Sequence, residues 1–205
     1  MKLFIAKGYH LASLAPLAKV VYTFFLAFTA LGLWTSWEIY AQRIGPDLDG
    51  PAGAPSVMER YAPSASREEA AAPSGGPTLE LDGLPPEPTT PAAAEDVKGP
   101  WVLDVFHQHA FSVSVVFLIL AHLFMLTRLA PWLAGATIVL AGLSALAHVL
   151  APVLIHATGA WAWLMPASGA AMGLSWTFMT LWSLAAMWLG VGARRDEDDR
   201  ARPAR

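Results

Sequence analysis

The sequence predicts an all-α protein, a transmembrane four-helix bundle with a long, largely disordered outer loop between helices 1 and 2. Composition is the first reason: 55% of the 205 residues are apolar and only 14% are charged, against roughly 25% charged in a soluble domain. Segregation is the second. Residues 45–100 hold 11 of the 16 prolines and 7 of the 16 glycines, which leaves the rest of the chain dominated by Leu, Ala, Val, Phe and Trp. Third, four separate stretches reach the roughly 20 apolar residues that cross about 30 Å of hydrocarbon.

The first span is read over Leu17 to Trp37, with Trp34, Trp37 and Tyr40 as an interfacial aromatic belt at its far end. Its charged start is long, and no small-x-small cleavage site precedes the belt, so it reads as an uncleaved signal anchor. The second span is expected over Phe106 to Thr127, the third over Trp132 to Leu154 and the fourth over Ser168 to Gly190. Pro131 and Pro166 fall where chain reversals are needed, and Pro152 should kink or end the third span. Trp161 and Trp163 extend the aromatic belt. Small residues (Ala134–Gly135–Ala136, Ala141–Gly142, and Gly169 with Gly173) permit close helix approach, and are read as packing within one chain.

Orientation follows from lysine and arginine. Lys2, Lys7 and Lys19, the turn with Arg128, and the tail with Arg194, Arg195, Arg200, Arg202 and Arg205 share one side of a four-span protein. That side is expected to be cytoplasmic, with both termini there. The opposite loop carries eleven acidic residues against four basic ones between Arg43 and Asp104, a net charge of −7. Segments such as PSGGPTLELDGLPPEPTTPAAAEDVKGP cannot bury enough apolar area to offset their ordering entropy, although Ser56 to Tyr61 has the makings of a short helix. The expected division is residues 1–42 (N-terminal segment and first span), 43–105 (acidic Pro/Gly-rich periplasmic loop), 106–190 (spans two to four) and 191–205 (charged tail).

The absence of cysteine removes disulfides, c-type haem attachment, Cys-ligated iron–sulfur clusters and zinc ribbons. No phosphate loop, dinucleotide fingerprint, nucleophile elbow or His-Glu-x-x-His motif is present, and a net charge of −3 with no basic stripe argues against a nucleic-acid partner.

Chemistry therefore rests on histidine, because ionisable groups inside a membrane are costly and are functional candidates by default. His107, His109, His122 and His148 lie in the second and third spans, His156 just beyond, and His10 before the first span, where it reads as a surface residue. His109 and His148 lie at one depth, roughly 7 Å below the outer surface at 1.5 Å per residue, on neighbouring antiparallel helices. His107 and His156 are near that level. His107 and His109 stand about 200° apart on a helix and cannot share a face. Four readings remain open: histidines that only tie helices together; a haem b held by His109 and His148; a copper, zinc or iron ion held among His107, His109, His148 and His156; or a proton or quinol site.

The stretch HQHAFSVSVVFLILAHLFMLTRL (His107–Leu129) resembles a group of small, functionally uncharacterised bacterial inner-membrane proteins of four spans. They share a His-x-His-x-Phe start and a His-Leu-Phe further along the same helix, matched here by His107, His109, Phe111 and His122–Leu123–Phe124. The resemblance implies residence in a bacterial cytoplasmic membrane. The 13-residue step from His109 to His122 is similar, more loosely, to the spacing in four-helix cytochromes b, and that likeness implies cofactor contact by His122 as well.

The function expected from these features is that of a redox accessory protein. It would bind haem b or a metal ion through outer-side histidines and exchange electrons with membrane or periplasmic redox partners, or with a quinol. It would serve as an electron-transfer subunit and not as a stand-alone enzyme. The competing expectation is a structural or assembly subunit of a larger membrane complex with no cofactor.

Overall fold

A computed structural model describes residues 10–43, 55–63 and 98–192. The disorder expected of most of the loop and the charged tail lie outside the described residues. A 3-10 turn, Leu11–Ser13, precedes helix α1 (Pro16–Arg43); a short helix α2 (Val57–Tyr61) follows, then α3 (Lys98–Met125), α4 (Pro131–Thr158) and α5 (Leu164–Leu189). The described residues contain helices and turns and no strand. Helices α1, α3, α4 and α5 are each long and apolar enough to cross a membrane.

Each long helix outruns its expected span for a physical reason. Helix α1 continues six residues past Trp37, because the polar run EIYAQR is a good helix former that hydropathy alone does not register. Helix α3 begins eight residues before Phe106, with Pro100 in its first turn, where a missing N–H leaves nothing unsatisfied. Pro131 is the first residue of α4 and Pro166 sits in the first turn of α5, inside the helix and not between helices. Pro152 does not end α4, which runs six residues further to Thr158. Helices α4 and α5 stop at Gly159 (φ 62°) and Gly190 (φ 66°), left-handed positions that a Cβ would strain.

Five-residue connections join α3 to α4 and α4 to α5, so these three helices alternate in direction. They form the centre, with the most extensive contact between α4 and α5, and α1 docks chiefly on α5. Leu26 is the one buried side chain of α1 among its described residues. The main core joins Leu120, Leu123 and Phe124 of α3, Ala141 and Ala145 of α4, and Trp176, Met179 and Met187 of α5. Small residues set the spacing: a Cβ on Gly142 would lie 3.1 Å from the Phe117 ring, so α3 and α4 approach where the sequence offers glycine. Large exposed apolar side chains such as Phe24, Phe28, Leu118, Leu143 and Leu181 face outward, as they do where lipid is the solvent.

The two ends of the bundle differ. At one, called here the Lys19 end, His10 closes the structure. Its Nδ1 accepts from Ala12 N at 3.0 Å and its Nε2–H donates to the Val191 carbonyl at 3.1 Å. His10 is 8% exposed, so it is a buried pin between the chain's start and the end of α5 and not a surface residue. At the other, the Tyr61 end, the expected short helix is present. Its Ser56 and Glu59 form a reciprocal capping box, and Val57 and Tyr61 pack on Val102 and Ile155. Lys98 Nζ donates to the carbonyls of Glu59 (2.6 Å) and Ala62 (3.2 Å).

Candidate functional site

A cavity of about 110 Å³ opens near the Tyr61 end, lined by Tyr61 of α2, Val105, Phe106 and His109 of α3, His148, Val149 and Pro152 of α4, and Met165 of α5. His109 and His148, expected at one depth, line this same cavity. Tyr61 closes one side, with its ring stacked on Trp101 at 5.8 Å. Burial lifts the Tyr61 phenol above its ordinary value of 10.0, and the Arg60 charge partly offsets this.

Both rings are held through Nδ1. His109 Nδ1 lies 2.8 Å from the Val105 carbonyl, which can only accept, so this nitrogen carries the proton. Ser168 Oγ donates to the Leu164 carbonyl at 2.5 Å, and its oxygen is then the acceptor for His148 Nδ1–H at 3.2 Å. In the neutral rings the lone pair falls on Nε2 of each, the tautomer that metal-ligating histidines adopt when a backbone or hydroxyl oxygen fixes the other nitrogen. Gly169 lies directly against His148: a Cβ there would be 3.2 Å from Cε1 and 3.4 Å from Nδ1. Gly169 therefore serves packing within the chain, whereas Gly173 has nothing within 4 Å of its Cβ direction.

Pro152 adds a feature that its position in the sequence could have revealed. An α-helical N–H at residue 152 would bond the carbonyl of residue 148. Proline has none, so the carbonyl of His148 lacks its helical donor beside the cavity.

The remaining sequence candidates lie elsewhere. His107 is exposed and packs edge-on against Phe111 at 5.0 Å, on another face of α3. His122 is exposed with its Nδ1–H on the Leu118 carbonyl at 2.7 Å, about 20 Å along α3 from His109. His156 donates from Nδ1 to the Tyr61 carbonyl at 2.9 Å and so fixes α2. Among the described residues, no three His, Asp or Glu side chains gather in a group that could hold a metal ion. The expected set of four is reduced to the His109–His148 pair, because His107 faces away and His156 is committed to α2.

Size decides what the pair can hold. Small-molecule pockets begin at about 300 Å³, and a water occupies about 30 Å³. The cavity's 110 Å³ lies below that range and above the volume of a single water.

Residues 100–196 match the model of a family described as a transmembrane helical domain, Aq_1264_TM. The match spans α3, α4 and α5, the three helices that build the core and carry His109 and His148. No curated protein and no solved structure matches the chain. The protein is a multi-pass, membrane-spanning helical protein.

Proposed function

We propose that the chain is a membrane-embedded redox accessory protein that holds a single transition-metal ion at the His109–His148 pair and exchanges electrons with a partner on the outer side of a bacterial inner membrane. One observation carries this reading: two imidazoles from different helices line one small cavity, each with its Nδ1 held by a hydrogen bond. Met165 lines the same cavity, and a thioether beside imidazole favours copper over zinc or iron. Such an ion, when bound, supplies a one-electron couple. The chain's own contribution is orientation and exclusion: Val105 and Ser168 fix the rings, and Tyr61, seated by His156 and Lys98, covers the cavity. Haem b at this pair requires α3 and α4 to part, and the size of the cavity stands against it.

The second reading is a non-catalytic structural or assembly subunit, favoured by α1, most of whose large apolar side chains, among them Leu17, Phe24, Phe28 and Trp37, are left uncovered.

Detergent-purified protein should be assayed by elemental analysis and by ultraviolet–visible spectroscopy, then titrated anaerobically with Cu(I), Cu(II) and Zn(II). One equivalent of metal is expected, lost in both His109→Ala and His148→Ala and retained in His122→Ala. A preparation that is colourless, metal-free and unresponsive to all three ions ends the metal reading and leaves the structural one. A Soret band shifted by dithionite would instead restore haem b.

A further inference from the structure

At the Lys19 end, a second hollow of about 290 Å³ runs along the outside of the bundle between α1 and α5. Val20, Thr23, Phe24 and Ala27 line one wall, at the i, i+3, i+4 and i+7 spacing of a single helix face, and Trp188 forms the other. The walls are built and not incidental. Trp188 Nε1–H donates to Thr23 Oγ1 at 3.0 Å, and Thr23 Oγ1–H in turn is directed to the Lys19 carbonyl at 2.7 Å. This chain fixes the indole plane, and Lys19 Nζ lies over that ring, 5.6 Å from its centroid. The groove thus has an apolar trough at membrane depth and a lysine ammonium at its mouth.

The charge has no counterpart within the described residues. Their acidic side chains are Glu38, Glu59 and Asp104, all toward the Tyr61 end. Glu38, on the same helix as Lys19, is 19 residues and about 28 Å away. A cation on apolar surface, with no anion in reach among the described residues, is matched by a phosphate from the bilayer itself. The face is membrane-exposed, so its occupant is a lipid, and the charge selects which. We infer that the α1–α5 groove binds one anionic glycerophospholipid, with an acyl chain along Val20, Phe24 and Ala27 and the headgroup phosphate on Lys19. The site is separate from the His109–His148 cavity and does not depend on what that cavity holds.

The full-length protein in mild detergent should be exchanged with equimolar phosphatidylglycerol and phosphatidylcholine, and the retained lipid read by native mass spectrometry. Wild type is expected to keep one phosphatidylglycerol at about fivefold preference, the size of effect one surface lysine exerts. Lys19→Gln should bind both lipids equally while its helical circular dichroism is unchanged. Ala27→Trp, which fills the trough and keeps the lysine, should retain less of either lipid. Equal retention of the two lipids by wild type, or an undiminished preference in Lys19→Gln, would overturn the assignment. Displacement of the bound species by millimolar inorganic phosphate alone would do the same, because it would show that the trough contributes nothing.

Discussion

Gly169 offers a perturbation that separates the site from the scaffold. In Gly169→Ala the new methyl lies 3.2 Å from His148 Cε1 and 3.4 Å from Nδ1, inside the 3.5–4.0 Å of comfortable carbon contacts. The ring must retreat by a few tenths of an ångström. It has somewhere to go, since His148 borders the 110 Å³ cavity. The penalty therefore sits near the low end of the about 1–3 kcal/mol typical of overpacking. Against it stands the backbone entropy recovered when glycine leaves a helix, about 0.5–1 kcal/mol. The two nearly cancel, and stability should change by less than about 1 kcal/mol. Gly173→Ala, one turn on with nothing within 4 Å, keeps the gain without the penalty and should be about 0.5–1 kcal/mol more stable than wild type. Ligand placement is another matter. On the proposed metal reading, displacing an oriented imidazole weakens binding of the ion about 10- to 100-fold, and a shift this small belongs at the lower figure. Unfolding in a detergent–denaturant titration and metal affinity by competition with a coloured chelator give both numbers on the same samples. If Gly169→Ala matches Gly173→Ala in stability and wild type in metal affinity, the ring does not depend on that glycine and the reasoning is wrong.

Two further outcomes follow from buried polar groups. Ser168→Ala removes the acceptor of His148 Nδ1–H and should destabilise by about 1 kcal/mol. Thr180→Val removes a hydroxyl that is 1% exposed and has no partner, and should be neutral or stabilising by up to about 1 kcal/mol; an equal loss in both, by the same unfolding assay, would contradict this. The raised Tyr61 phenol gives α2 a pH limit. The group is neutral in both states below pH 10, so its share of the docking energy is intact there, and it is lost only as pH climbs through the raised value. Trp101 fluorescence, taken as the difference from Trp101→Phe, should report release of α2 above pH 10; a transition between pH 7 and 9 would point to another group.

The four membrane-crossing helices were legible because apolar length is a one-dimensional property. Their ends were not. Hydropathy falls to nothing over EIYAQR and KGPWVLD, yet both stretches are helical, and Pro100, Pro152 and Pro166 all lie within helices. A proline read as a stop is tolerated in the first turn, where the N–H is spare, and inside a bundle, where neighbouring helices hold the backbone. The approach of His109 to His148 was legible from depth, because both lie a few residues inside the expected outer ends of adjacent antiparallel spans. The step of about 200° separated His107 from His109 but did not say which of them would face His148. His156 misled, because its partner is a carbonyl 95 residues distant and no spacing rule reaches that far. His10 misled for two reasons. Half of its role is local, a cap written in the four residues HLAS, but a three-residue turn carries no hydrophobic period by which to notice it, and the other half is a carbonyl 181 residues away.

The grip of Lys98 on the carbonyls of Glu59 and Ala62 brings the two borders of the 64–97 stretch within reach of a single side chain. Whatever is strung between those borders is a hoop fastened at one post. Lengthening it, trimming it to a few linker residues or threading a reporter domain into it leaves the posts where they were, which makes this stretch the place to attach a fluorescent or affinity module without moving a membrane helix.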